Sequence, residues 1–293
     1  MKSHARPSYA QGLATPERGG LLYPALWNGV VFAACPSLGA TGLTLRDHSG
    51  RGNHGAITEA TEAEAWADPA GLTFGGTDDY VAVPHTTDHN WGSGDGTIAA
   101  WVNFTADQNA FTCFAVKGAG GLSQKRYQLV TESDGTTPRF DIDDDGGALK
   151  TVGHNASIND GTWHLLIGVR DGNNLRLYVD GVETSASPTD ITGYGDIDDT
   201  EGFTIGASNT TGSQGDEQYY DGTIDDTTIW NRALPSNEIA QLYRLGPGGM
   251  YRRKRRVIAS NPIAAPAAGR INSLIGVGGG MIGYGGGMIG RGY

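Results

Sequence analysis

The sequence predicts an all-β fold, a sandwich or barrel, closed by one short helix near the C-terminal end. Three observations carry this. Residues 71–232 alternate short runs rich in Val, Ile, Thr and aromatics with clusters of Gly, Asp, Asn and Ser, the pattern of many short strands joined by turns. Glycine is 47 of 293 residues, about twice ordinary usage, and the acids are mostly aspartate, which favours turns over helices. Only one stretch, near residue 240, has helical spacing.

The elements follow in chain order. Residues 1–20 are polar and rich in Pro, Gly and Ser, and read as an extended arm. Residues 21–46 hold apolar clusters broken by glycine and proline; they read as packed, with their form left open. Candidate strands are Leu72–Phe74, Tyr80–Val83, Thr97–Phe104, Phe111–Val116, Arg126–Thr131, Trp163–Arg170, Leu175–Asp180, Phe203–Ile205 and Thr223–Trp230. Asp171-Gly172-Asn173-Asn174 and Asp180-Gly181 are hairpin signals. Between them, Leu175, Leu177 and Val179 share one strand face, and Arg176, Tyr178 and Asp180 the other. Ser236 offers an N-cap, Glu238 falls in the first turn, and Ile239, Leu242 and Tyr243 form one apolar stripe. Gly246-Pro247-Gly248-Gly249 ends the helix. The body is thus read as 21–246, and 247–293 as a basic and glycine-rich tail. That tail carries the run Arg252, Arg253, Lys254, Arg255 and Arg256, and repeats Gly-Gly-Gly-Met-Ile-Gly twice. High glycine content makes it costly to order, so both termini are expected to be flexible on their own.

Charge and composition exclude several classes. There is no Gly-X-Y period, so collagen is excluded, and no apolar run of about 18 residues that would span a membrane as a helix. Net charge is −11, and all seven basic groups of 250–293 lie in a segment with no acid. The acidic remainder argues against nucleic-acid binding by the body, leaving the basic run as its one route to nucleic acid. That run equally suits an acidic protein surface, a neighbouring subunit or plain solvation. The two cysteines, Cys35 and Cys113, are no disulfide framework; Cys113 reads as a buried thiol. The N-terminus lacks the apolar segment of a Sec leader. The expectations left open are a cytoplasmic stage before assembly, or a virion or cell-surface location reached by another route.

Six stretches in order are more specific than any one alone: DHSGRGNHG (47–55), GLTFGGTDDYVAVP (71–84), GTIAAWVNF (96–104), NDGTWHLLIGVRDGNNLRLYVDG (159–181), FTIGAS (203–208) and DGTIDDTTIWNRALPSNEIAQLY (221–243). Together they resemble the laminin-G-like jelly-roll family of the concanavalin A-like lectin/glucanase superfold, over about residues 45–245. The resemblance implies a two-sheet antiparallel jelly-roll sandwich with one short C-terminal helix. Trp101 and Trp163 are then expected to fill the space between the sheets. Pro235 stands where relatives usually have Ser, so Ser236 is expected to take over the cap.

The resemblance also frames the chemistry. Glucanases of this superfold use a Glu-x-Asp-x-x-Glu strand. The nearest string here, Glu132-Ser133-Asp134-Gly135-Thr136-Thr137, lacks the last acid, and no G-x-S-x-G or HExxH is present. No catalytic residue is assigned, and the expectation is a non-enzyme. In relatives a structural calcium often joins the first motif to the closing strand, which points to Asp47, Asn53 and Asp226, with Asp79 beside them, as ligands of Ca²⁺. The same Asp47 and Asn53 would also serve as turn caps. Asp141–Asp145 and Asp196–Asp199 could also bind cations but read as solvated loops that need no ligand, and His85 and His89 read as surface residues. Loop aromatics near Asp and Asn, namely Trp91, Tyr194, Tyr219 and Tyr220, are candidates for stacking on sugar faces or for packing on the domain edge. Two functions remain open: a non-catalytic module that binds glycans or surface polymers, and a structural virion protein, a phage capsid decoration or fibre component, assembled with other subunits through its arm and tail.

Overall fold

The computed structural model describes residues 21–58, 65–66, 71–118, 125–144, 146, 149–208 and 218–253. The chain divides into a unit of residues 1–254 and a unit of residues 255–293. The second unit and the arm 1–20 lie outside the described residues, as do Lys254, Arg255 and Arg256 of the basic run.

Two antiparallel sheets of eight strands each face one another. The first contains β1 (Val30–Ala34), β4 (Leu72–Gly75), β6 (Gly96–Asn103), β11 (His164–Asp171), β12 (Asn174–Val179), β13 (Val182–Glu183), β14 (Thr189–Asp190) and β16 (Asp221–Trp230). Its main path runs β1-β16-β6-β11-β12-β13. The second contains β2 (Thr44–Leu45), β3 (Gly55–Thr58), β5 (Tyr80–Val83), β7 (Cys113–Gly118), β8 (Arg126–Thr131), β9 (Pro138–Asp143), β10 (Lys150–Gly153) and β15 (Phe203–Ile205). Its order is β10-β9-β8-β7-β15-β5-β3-β2. All nine predicted strands are present, and the expected sandwich is the observed one.

The turns form for local reasons. Asp171 pairs with Asn174 across a two-residue loop, with Gly172 at φ 57°. Val179 pairs with Val182 around Asp180 and Gly181, whose φ values of 53° and 79° are both left-handed, as a tight hairpin turn requires.

Alternation along each strand then builds two cores. Between the sheets lie Ile98, Ala100 and Val102 of β6, Leu175, Leu177 and Val179 of β12, Phe114 of β7, Leu129 of β8, and Phe140 and Ile142 of β9. The face-sharing read from Leu175, Leu177 and Val179 is thus realised. The outer face of the first sheet has a core of its own. Ala99, Trp101, Leu165, Ile167, Tyr178 and Trp230 are covered there by Leu21, Leu26, Trp27, Ile239, Leu242, Met250 and Tyr251. Trp101 therefore does not fill the space between the sheets, and partly buried Trp163 packs on this outer cluster too. The period-two pattern decides it: Ile98, Ala100 and Val102 point inward, so Trp101 points outward.

The helix α1 (Ser236–Leu245) lies on that outer face. Pro235 occupies the cap position, and its carbonyl accepts from Glu238 N and Ile239 N. Ser236 is the first helical residue rather than the cap, because proline fits the extended cap backbone and needs no N–H there. Gly246 ends the helix at φ 69°. The body does not stop at residue 246. A 3-10 turn over Gly249–Tyr251 is buried, Arg252 O accepts from Leu22 N at 2.8 Å, and Arg253 bridges to Leu21. Among the described residues no helix is long and apolar enough to cross a membrane.

Candidate functional site

The four aromatic candidates are taken up by the fold. Trp91 is 6 % exposed and lies stacked on Tyr127 in the inter-sheet core. A Cβ on Gly96 would fall 2.0 Å from the Trp91 ring, so only glycine lets β6 pass beneath it. Tyr220 is fully buried between the sheets, and its hydroxyl donates to Asn103 O. Tyr219 is buried beside Tyr80. Tyr194 is half-buried; its hydroxyl donates to Ile142 O at 3.0 Å and accepts from Asp144 N. These rings fill the core and its edges instead of presenting faces to solvent. Burial depends on which strands close over a loop, and nothing local to Trp91 or Tyr220 encodes that.

The residues singled out for calcium do not gather as one set. The Asp47 carboxylate accepts from Ala33 N, Ser49 N, Ser49 Oγ and Asn53 N, all between 2.7 and 3.1 Å. It organises its own loop and ties that loop to β1. Asn53 donates through its side chain to Val31 O. Half-buried Asp79 caps a turn by accepting from Gly75 N at 2.6 Å. His89, read as a surface residue, is fully buried and meets Phe32 and Phe203 edge-on. Asp141 and Asp143, read as loop acids, lie in β9 and are buried. Arg139 neutralises Asp141 with contacts of 2.8 and 3.1 Å.

Asp226 instead joins Asp225 and Cys35. One side-chain atom from each lies within 4.8 Å of the others. β16 makes this possible through an irregularity between Asp225 and Thr228, with Asp226 in the left-handed region at φ 46°. Aspartate tolerates that conformation better than most residues. The bulge turns two consecutive acids into the structure. Asp225 Oδ1 accepts from Ser37 N, and Asp226 Oδ2 from Gly248 N. Asp225 Oδ2 and Asp226 Oδ1 are buried without a hydrogen-bond partner of normal geometry. Burial raises the Asp225 carboxyl to about 6. Burial, and then the neighbouring Asp225, push Asp226 well above the carboxylate range. Burial and the two acids likewise hold the Cys35 thiol in its protonated form. Calcium asks for six to eight oxygens. This cluster offers two carboxylate oxygens and a thiol, so it does not fit the calcium cage that the family resemblance implied.

A second feature lies on the second sheet and was not legible in the sequence. Phe111, just before β7, is 38 % exposed and sits at φ 62°, a strained conformation for a bulky residue. The Arg139 guanidinium stands 4.7 Å from its ring centroid. Arg139 is held in turn by Glu132 at 3.1 Å and by Asp141. The preceding loop adds Asp107, which accepts from Asn159 Nδ2 at 2.8 Å. Phe111 thus presents an exposed ring held by a fixed planar cation, with the polar side chains of Asp107 on the same loop, Glu132 on the loop after β8 and Asn159 on the loop after β10. In the sequence Phe111 sits in the apolar run Phe111-Thr112-Cys113-Phe114, which reads as core strand. Asp134, the second acid of the partial glucanase string, accepts from Thr136 N and Thr137 N at 2.9 Å and caps its own turn. These bonds hold its carboxyl below the usual range against the opposing effect of desolvation.

Of the basic run, Arg252 and Arg253 are exposed beside the paired residues Leu21 and Leu22.

Two facing antiparallel sheets of eight strands each define an all-β sandwich. The chain belongs to the concanavalin A-like lectin/glucanases superfamily: residues 74–240 match its Laminin_G_3 family. No curated protein matches. Among solved structures, the chain is similar to the binding domain of Paraclostridial Mosquitocidal Protein 1 (14 % identity, 74 % of this chain and 52 % of that one, TM-score 0.55). It is also similar to Trypanosoma rangeli sialidase in complex with 2,3-difluorosialic acid (18 %, 73 % and 33 %, TM-score 0.56). A third is the receptor binding domain of botulinum neurotoxin C/D mosaic serotype (10 %, 74 % and 51 %, TM-score 0.52). At these identities the likeness is one of fold. The chain spans about half or less of the length of each of these structures.

Proposed function

We propose that this chain is a non-catalytic binding module that recognises glycans or surface polymers through the Phe111 loop. The observation that carries the reading is the exposed Phe111 ring, held in a left-handed conformation against Arg139. Strain at an exposed aromatic is kept where the surrounding structure over-determines it, a common property of ligand sites. An apolar ring stacks on the C–H face of a sugar, while Glu132, Arg139, Asp107 and Asn159 offer acceptors and donors for hydroxyls. The non-catalytic part of the reading rests on the acids. Glu132 is paired with Arg139 and Asp134 is spent on its turn, so neither is poised as the proton donor a glycosidase needs. The likeness to proteins described as binding and receptor binding domains is in keeping with this. A glycan array probed with the full chain and with Phe111→Gly tests it. Binding that is lost in the variant supports the site; flat signals for the unaltered chain, or equal binding by both, count against it.

An assembly role, such as that of a virion structural protein, is a second reading with an observation of its own. Leu21 and Leu22 pair with Arg253 and Arg252, so the two ends of the described body run side by side. Chemical cross-linking of the full chain at increasing concentration tests it. Higher-order species that vanish on removing residues 1–20 and 255–293 support it; a monomer at every concentration opposes it.

A further inference from the structure

The geometry points to a divalent metal site of the zinc type at Cys35, Asp225 and Asp226, on the outer side of the first sheet. Three groups that can each carry negative charge converge within 4.8 Å. Asp225 is fully buried, Asp226 is 6 % exposed and Cys35 is 3 % exposed. Among the described residues none of them has an Arg, Lys or His ion-pair partner. Asp225 Oδ2 and Asp226 Oδ1 are left over after each carboxylate has accepted one backbone N–H. A buried carboxylate in that position must be neutralised by a proton or a cation.

Two further features lie beside the cluster. The hydroxyl of Tyr251, itself 8 % exposed, makes no hydrogen bond of normal geometry; burial, and then Asp226 and Cys35, push it well above its ordinary value. A small cavity of about 10 Å³ lies against Asp226, lined also by Thr228, Trp101, Trp230, Leu242 and Met250. That is room for about one water on the Asp226 side of the cluster; neither Cys35 nor Asp225 lines it.

The donor types select the metal. A thiolate and two carboxylates suit borderline zinc at about 2.3 Å to sulfur and about 2.0–2.2 Å to oxygen. They do not suit calcium or magnesium, which take oxygen. On binding, the thiol proton and any proton held by the carboxylates leave to solvent as the metal–sulfur and metal–oxygen bonds form. The ion would staple three parts of the chain: the turn after β1, the bulge of β16, and the Gly248 turn that Asp226 already holds.

The test uses the full chain, stripped with EDTA and exchanged into metal-free buffer at pH 8. One equivalent of Zn²⁺ is expected to bind and raise the melting temperature by several degrees, with Ca²⁺ at millimolar concentration having no effect. Co²⁺ should give a thiolate-to-cobalt charge-transfer band in the near ultraviolet. Cys35→Ser should abolish that band and weaken zinc binding at least tenfold. Asp226→Asn, which keeps a residue tolerant of left-handed backbone, should also weaken zinc at least tenfold. The metal-free melting curve of each variant checks that it folds. No zinc uptake, uptake unchanged in both variants, or stabilisation by calcium in preference to zinc would each overturn the proposal. Glycan binding is read separately, so its loss or survival does not bear on this result.

Discussion

Trp91 lies flat on Tyr127, with ring centroids 3.7 Å apart and planes within 6°. Both rings belong to the inter-sheet core, and the Tyr127 hydroxyl donates to the carbonyl of His89. An aromatic that looked available for sugar is therefore a keystone of packing. Trp91→Ala is expected to cost about 3–5 kcal/mol, as large-to-small changes of buried aromatics do. Urea unfolding followed by far-ultraviolet circular dichroism measures it. A cost under about 1 kcal/mol would mean that the ring is not core.

Phe111 gives the opposite expectation. Phe111→Gly removes an exposed ring and relieves a left-handed conformation that glycine adopts freely. Stability is expected to hold or to rise by up to about 1 kcal/mol. Thermal melting checks this on the sample used for the glycan array. A large drop in melting temperature would show that the ring supports the loop instead of facing a ligand.

His89 sets an acid limit. Burial, reinforced by Lys117, lowers its imidazole from 6.5 to about 4. The unfolded chain takes up this proton first, so folding stability falls as pH drops from about 6.5 to about 4. The loss from this one residue is on the order of 3 kcal/mol. His48 is lowered to about 4 in the same way, chiefly by burial, and acts with the same sign. His164 acts oppositely. Its hydrogen bond to Asp180 raises it, so its contribution is complete below 6.5 and fades as pH rises through the raised value. Urea midpoints across pH 4–8 for the unaltered chain and for His89→Gln test the assignment. Between pH 6.5 and 4 the variant should lose less stability than the unaltered chain, by on the order of 3 kcal/mol.

The C-terminal boundary is also testable. Trp27 Nε1 donates to Met250 O at 3.1 Å, and the Trp27 ring meets Tyr251 edge-on at 5.2 Å. A chain ending at Gly246 loses Met250, Tyr251 and the pairing of Leu21 and Leu22 with Arg253 and Arg252. It is expected to lose several kcal/mol, in line with the removal of two buried side chains. A chain ending at Arg253 keeps these contacts and should keep the melting temperature of the β body. Differential scanning calorimetry of the two truncations separates the outcomes.

Local pattern was enough for much of the fold. Alternation in β6, β11 and β12, the hairpin residues Gly172 and Asp180-Gly181, and the stripe Ile239-Leu242 all lie within a few residues of one another and are set by backbone and side-chain preferences. β9 was missed because Asp141 and Asp143 make it read as a loop. Burial of Asp141 is offset only by the approach of Arg139 and Gln128, and Arg126 faces Asp143.

What the sequence determined by itself is the strand-and-turn grammar of an antiparallel sandwich and the absence of a glucanase acid strand. Tertiary structure alone decided which face each aromatic meets and which acids become neighbours. Trp101 faces outward because a whole strand keeps one phase. Cys35 reaches Asp225 and Asp226 because β1 pairs with β16 across nearly 200 residues of chain. Contacts of that range follow from sheet order, which no short stretch of sequence encodes.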